Sequence, residues 1–181
     1  MLNGAKTLEQ AYDKLALDYD EKYVDGDHNP YMQDELEAAQ HWKKFNKKGK
    51  IVSLGCGTGQ DVSILGYPNP NNFTGYDISE GMLSKARIKH PDYNFIQADC
   101  SELIPDRADI LVSMFGVPNY IGIDMLADHI GFFGATSGFC VFYNEHYVDG
   151  VVENYYRYTR AELEIIGNVD TLGKNYYVVT W

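Results

Sequence analysis

The chain has no apolar run near the roughly 20 residues a helix needs to cross a bilayer, and Met1 to Gln10 lacks the basic end, apolar stretch and cleavage site of a secretory signal. No membrane partner is expected, and the expected location is cytoplasmic. Cysteine is scarce: Cys56, Cys100 and Cys140 are an odd set with no C-x-x-C pair. That excludes a disulfide framework or a zinc ribbon and suits free thiols in a reducing compartment, with no metal expected. Positive charge is also short, 15 basic residues against 26 acidic, for a net charge of −11. Such a surface repels phosphate backbones, so avid nucleic-acid binding is not expected, while cations are drawn in. Internal repeats and Pro/Ser-rich linkers are missing, and 181 residues suffice for one domain with a proper core.

What is present changes texture near Lys50, dividing an N-terminal cap (1–49) from an α/β core (50–181). Leu8, Tyr12, Leu15, Tyr19 and Tyr23 mark one face of a helix. A turn-like stretch from Asp25 to Pro30 follows, then a second helical pattern from about Tyr31 to Phe45. Beyond Lys50, strands alternate with helices. Strands are expected at Ile51–Leu54, Phe73–Tyr76, Tyr93–Ala98, Ile110–Met114 and Phe139–Tyr143. Ser79 can cap a helix that stops before Pro91, and Asp124 a shorter one ending near Gly131. Thr159 and Glu162 have capping-box spacing. The last two β segments, 168–171 and 176–181, are separated by too short a gap for a crossover and must pair antiparallel. The expected fold is α/β: a mostly parallel, Rossmann-like seven-stranded sheet with helices on both faces and an antiparallel C-terminal hairpin.

The strongest motif is Gly55-Cys56-Gly57-Thr58-Gly59, where a strand ends and a helix begins. Open α/β sheets bind ligands at such ends, and glycine lets the backbone turn and a ligand approach. Asp77 closes the second strand, 22 residues after Gly55, where a carboxylate can accept both hydroxyls of a ribose. Asp99 follows the third strand on the same edge and can accept from an adenine amino group. Singly, each aspartate is as well placed to cap a helix or close a turn. Three such features in order after three successive strands point to a nucleotide-bearing ligand.

The segments IVSLGCGTGQD (51–61), FTGYDISEGMLSKAR (73–87), YNFIQADC (93–100) and ADILVSMFGVPNYI (108–121) resemble the class I S-adenosylmethionine (SAM)-dependent methyltransferases. The resemblance covers most of residues 50–181. It implies SAM as cofactor and S-adenosylhomocysteine as product. It assigns the methionine part to Gly55, Cys56, Gly57 and Gly59, the ribose to Asp77 and the adenine to Asp99. It also places Ile78, Met82 and Cys100 around the adenine and Met114 beside the methyl donor. AYDKLALDYDEKY (11–23) looks like the family's first cap helix, with Tyr19 over the cofactor, whereas Tyr12 reads as packing. One departure stands out: Ser53 occupies the position where the family usually has an acid that helps hold the methionine amino group. Asp61 is a candidate substitute. The loop runs G-x-G-x-G with Gln60 at the third position of the NAD fingerprint, which disfavours an NAD enzyme.

Methyl transfer is a displacement with an excellent leaving group, so the protein mainly aligns the nucleophile and excludes water; no metal is required. Residues 115–120 do not match the Asn/Asp-Pro-Pro-aromatic segment of amino-methylating DNA enzymes. His146, after the fifth strand, is a candidate base, with Tyr120 and His28 behind it. Tyr143, Tyr147, Tyr155, Tyr156 and Tyr158 are expected either to wall the acceptor site, with cation–π attraction for an amine, or simply to pack a long loop. The lysines from Lys43 to Lys50 fall at a helix end on the far side and read as a solvated terminus. A small-molecule acceptor is the first expectation. A macromolecular acceptor reached through a partner subunit and a non-catalytic SAM-binding subunit stay open, and oligomeric state is not readable from the chain.

Overall fold

A computed structural model describes residues 4–24, 31–115, 117–147 and 155–181. The turn expected over residues 25–30, His28 and Gly116 lie outside them. The N-terminal helices are α1 (Gly4–Leu15), α2 (Tyr19–Tyr23) and α3 (Met32–Phe45). The core then alternates β1 (Ile51–Leu54), α4 (Gln60–Ile64), β2 (Phe73–Asp77), α5 (Glu80–Lys89), β3 (Asn94–Gln97) and β4 (Ile110–Ser113). It continues through α6 (Val117–Ile121), α7 (Ile123–Phe133), β5 (Ser137–Tyr143), α8 (Arg160–Leu163), β6 (Asn168–Leu172) and β7 (Tyr176–Thr180).

The seven strands form one sheet in the order β3-β2-β1-β4-β5-β7-β6. β1 to β5 run parallel, whereas β7 pairs antiparallel with both β5 and β6. The chain winds outward from β1 to β3 and then returns to lay β4 on the other side of β1. That reversal opens a crevice beyond the carboxyl ends of β1 and β4, where open sheets take their ligands.

Alternation along the buried strands divides the core between two faces. Ile51, Phe73, Ile110, Val112, Phe139 and Val141 pack under Trp42 of α3, Val62 of α4 and Leu83 of α5. Val52, Leu54, Leu111, Cys140 and Phe142 pack under Leu126 and Phe133 of α7 and Leu163 of α8. Ser53 therefore faces the same way as Ile51, toward α4.

Two expected helices differ in form. The periodic run from Leu8 to Tyr23 is not one helix but two, broken at residues 16–18. The break lets Asp13 and Asp20 reach separate anchors on the core, described below. The expected Asp124 cap is replaced by Gly122 (φ 82°), which makes no side-chain cap, and Asp124 falls in the first turn of α7. Ser79 and Thr159 cap as expected: Met82 N donates to Ser79 Oγ at 3.1 Å, and Thr159 forms the full capping box with Glu162. Among the described residues, no helix is long and apolar enough to cross a membrane.

Candidate active site

The loop after β1 carries three left-handed glycines, Gly55 (φ 74°), Gly57 (φ 53°) and Gly59 (φ 83°). At Gly55 space matters as much as conformation, since a Cβ there would lie 1.8 Å from Cγ2 of Val117 on α6. The loop is thus packed directly against the segment that follows β4.

Asp77 holds this loop in place. Its Oδ2 accepts from Gly57 N at 2.8 Å and its Oδ1 from Ser79 N at 2.9 Å. Ile78 N also donates to this carboxylate, which leaves part of its acceptor capacity for a ligand hydroxyl. Burial pushes the carboxyl up to about 6, against the pull of those backbone N–H groups. Tyr19 stands nearby: burial and the neighbouring Tyr31, Asp77 and Glu35 hold its hydroxyl well above the ordinary phenol range.

On the other side of the loop, Ser53 Oγ donates to Asp61 Oδ2, and both residues are buried. Cys56 is buried in the loop itself, Met82 within α5 and Met114 past the end of β4. Asp99 accepts from Ser101 N at 2.8 Å and Ser101 Oγ at 2.7 Å through Oδ1, so it closes the turn after β3. Cys100 is buried, and its carbonyl accepts from Nε2 of His129 at 2.9 Å. Ile78 is half-buried, and its carbonyl accepts from Gln97 Nε2.

Several supporting residues escaped the sequence reading. Asp13 of α1 accepts from Ser79 Oγ at 2.6 Å and Gly81 N at 3.0 Å, docking the cap on the start of α5. Asp20 of α2 accepts from Thr58 Oγ1 at 2.7 Å and Lys89 Nζ at 3.0 Å. Asn119 of α6 is fully buried; its Nδ2 donates to the carbonyls of Tyr143 and Tyr156, and its Oδ1 accepts from Tyr143 N. A lone amide between Pro118 and Tyr120, in an otherwise apolar run after a strand, was the available signal.

The residues beyond the carboxyl ends of β4 and β5 are largely aromatic. Phe115, just past β4, has φ 49°, a strained conformation for a residue other than glycine. Its carbonyl accepts from Tyr143 OH at 3.1 Å. Tyr147 stacks on Tyr143 at 3.8 Å between ring centres, Tyr155 meets Tyr143 edge-on at 5.6 Å, and Tyr120 does so at 6.2 Å. The hydroxyls of Tyr120 and Tyr12 lie 2.9 Å apart, joining α6 to the cap. The late tyrosines are thus split into two groups. Tyr156 and Tyr158 stack on each other apart from this cluster, and Tyr158 OH accepts from Ile123 N. His146 is not gathered in either: its side chain is 74% exposed, 3.9 Å from Glu145. At the opposite end of the sheet, Lys50 pairs with Asp106 at 2.5 Å in a hollow of about 410 Å³ lined also by Arg107 and Phe132.

Residues 51–130 match a protein-family model described as a methyltransferase domain. That match takes in a little under half of the chain and spans β1 to most of α7. The chain's most similar curated relatives include trans-aconitate 2-methyltransferase of Acidovorax sp. (strain JS42), 40% identical over 63 residues. That match takes in 34% of this chain and 24% of the relative, so the chain spans about a quarter of that relative's length. The ubiquinone/menaquinone biosynthesis C-methyltransferase UbiE of Campylobacter jejuni is 33% identical over 85 residues, covering 42% of this chain and 36% of the relative. Among solved structures, the fold resembles that of DhpI in its SAH complex, with a TM-score of 0.73 at 17% identity over 97% of this chain and 95% of that one. Magnesium protoporphyrin IX methyltransferase (ChlM) from Synechocystis PCC 6803 with bound SAM has a TM-score of 0.71 at 16% identity, covering 99% and 97%. These likenesses extend across the cap helices and the antiparallel hairpin of the domain, beyond the 51–130 stretch.

Proposed function

We propose that the chain is a SAM-dependent methyltransferase acting in the cytoplasm on a small-molecule acceptor. The observation that carries this reading is the clamp of Asp77 on Gly57, at the reversal point of the sheet. It joins a loop whose Gly55 has no room for a side chain to a half-buried carboxylate with acceptor capacity left over. That donor and acceptor set fits a nucleoside with an amino-acid tail: Asp77 takes the ribose, Asp99 and the Cys100 backbone the adenine edge, with Ile78 and Met82 beside the ring. Tyr19 covers the ligand, and the loop from Gly55 to Gly59, with Cys56, takes the tail, Met114 lying toward the methyl end.

SAM supplies the electrophilic methyl group on a sulfonium. This chain's part is to orient an acceptor behind that methyl and keep water out. Tyr120 is the better-placed polar group for contact with the acceptor, since its hydroxyl meets that of Tyr12 beside the Tyr143 cluster. His146 would have to turn in from solvent to serve as a base. The acidic surface and the small-molecule names of the relatives, trans-aconitate and ubiquinone/menaquinone, support a small acceptor. The three unpaired, buried thiols support the cytoplasm.

Calorimetry with SAM, S-adenosylhomocysteine and NAD tests the cofactor. Binding of the first two, lost in Asp77→Ala and absent for NAD, is expected. Failure of both to bind the unaltered chain would reject the reading. The exposed position of His146 favours one second reading, a SAM-binding subunit without turnover of its own. Formation of S-adenosylhomocysteine by the isolated chain with any small acceptor would decide against it.

A further inference from the structure

One peptide unit in the turn after β3 is held at both ends. The Cys100 carbonyl accepts from Nε2 of His129 on α7 at 2.9 Å. The N–H on the other side of that same planar unit, Ser101 N, donates to Oδ1 of Asp99 at 2.8 Å. Ser101 Oγ donates to the same oxygen at 2.7 Å. Both side-chain bonds fall on Oδ1, so Oδ2 of Asp99 keeps its acceptor capacity. The buried Cys100 thiol lies against the Gly55 backbone, which ties the turn to the glycine loop.

His129 is fully buried, and its ring stacks on Phe133 with 5.2 Å between ring centres. Cys100, Leu126 and Phe133 belong to one apolar cluster on that face of the sheet. A carbonyl only accepts, so Nε2 carries the hydrogen that faces Cys100. Nδ1 meets no hydrogen-bond partner among the described residues, which is unfavourable for a buried nitrogen. Leucine or phenylalanine at this position would occupy similar space with no nitrogen left unpaired. What the imidazole adds is its hydrogen bond to the turn.

We infer that His129 is a positioning residue for base selectivity: by fixing the peptide between Cys100 and Ser101 it aims the Asp99 carboxylate, so that adenine is preferred to a base with the reverse hydrogen-bonding edge. The inference rests on the cofactor reading above and deepens it with a residue that acts from behind the turn, bonded to the backbone and not to the base. Adenine offers an amino donor and a ring-nitrogen acceptor. Asp99 Oδ2 and the Cys100 N–H are the matching acceptor and donor. Hypoxanthine presents a carbonyl acceptor and a ring N–H donor to the same two groups. Rejecting that edge requires a turn that does not rotate to suit it, and the His129 bond is what resists the rotation.

S-inosylhomocysteine, in which an oxygen replaces the adenine amino group, separates this role from simple packing. Calorimetry of the unaltered chain is expected to show S-adenosylhomocysteine preferred by roughly tenfold or more. His129→Leu is expected to lower that preference by roughly 3- to 10-fold, mainly through weaker S-adenosylhomocysteine binding. His129→Phe, which keeps a ring on Phe133, carries the same expectation should leucine pack badly. His129→Gln, whose amide can place an N–H near the position of Nε2, is expected to restore most of the preference. An unchanged preference in the folded Leu or Phe variant, an equal loss of both ligands included, would overturn the inference and leave His129 as core packing. So would a Gln variant no more selective than the Leu one. If the unaltered chain bound both ligands equally, the cofactor reading would stand and this inference alone would fall. If it bound neither, the cofactor reading would fall first, and this inference with it.

Discussion

Thr58 of the glycine loop donates its hydroxyl to Asp20 of the cap at 2.7 Å, and Lys89 Nζ lies within 3.0 Å of both. The loop, the cap and the end of α5 thus meet in one partly buried knot. Asp13 makes a second tie at the other end of α5. The cap is fastened at two points along α5, and the break between α1 and α2 falls between them.

Lys89→Met leaves Asp20 with Thr58 alone and removes the compensating charge. Losing one partner of a partly buried pair is expected to cost about 2 kcal/mol. Urea unfolding measures that loss. Weaker S-adenosylhomocysteine binding should accompany it, because Thr58 belongs to the loop; unchanged stability and affinity together would show that the knot holds nothing.

Gly55→Ala places a methyl 1.8 Å from Val117 at a backbone φ of 74°. Overpacking and the left-handed penalty together are expected to cost about 2–5 kcal/mol. Trimming the neighbour, as in Gly55→Ala with Val117→Ala, relieves only the contact. Thermal melts of the single and double variants should therefore show partial recovery, and full recovery would mean that conformation at this position is unimportant.

Asp61 and Asp77 make the ligand-free protein less stable as pH rises. Their carboxyls titrate at about 7 and about 6 when folded, from an ordinary value of 3.8. The folded state holds the extra protons over that window, so stability is full below about pH 4 and declines up to about pH 7. Asp61→Asn removes one such charge. It is expected to melt somewhat above the unaltered chain at about pH 5 and further above it at about pH 8. A stabilisation that did not grow between those two values would contradict the assigned titration.

Asn119→Ala strips a buried brace from Tyr143 and Tyr156, leaving the Tyr143 N–H and two carbonyls without their partner. A loss of about 2–4 kcal/mol is expected by chemical denaturation. Asn119→Asp tests direction: it can still accept from Tyr143 N but cannot donate to either carbonyl, so it should rescue little.

The strands and the glycine loop were legible because their signals are local. Short, nearly continuous apolar runs bounded by turn residues mark Ile51–Leu54 and Phe139–Tyr143, which are buried throughout, and a glycine run marks a left-handed turn wherever it lies. The hairpin was legible from a length argument alone. The break at residues 16–18 was not, because the stepping of Leu8, Tyr12, Leu15, Tyr19 and Tyr23 is helical throughout. What interrupts it is tertiary: Asp13 and Asp20 are drawn to Ser79 and Thr58, over sixty and nearly forty residues away in the chain. The Gly122 cap was hidden by Asp124, a better cap by residue type standing two positions too late. At the site, Asp61 was found because an acid was missing from β1. Asn119 was not, because nothing in its neighbourhood shows that Tyr143 and Tyr156 converge on it.

Cys56, Cys100 and Cys140 are all buried, and burial raises each thiol above its ordinary value. Only thiolates are alkylated readily, so the native chain is inert to a labelling reagent until it opens. The three sit at different depths of organisation: Cys56 in the glycine loop, Cys100 beyond β3, and Cys140 in the middle of the sheet. The order in which they take up label therefore forms a built-in clock, separating a loop that breathes by itself from a sheet that comes apart, with no probe added to the chain.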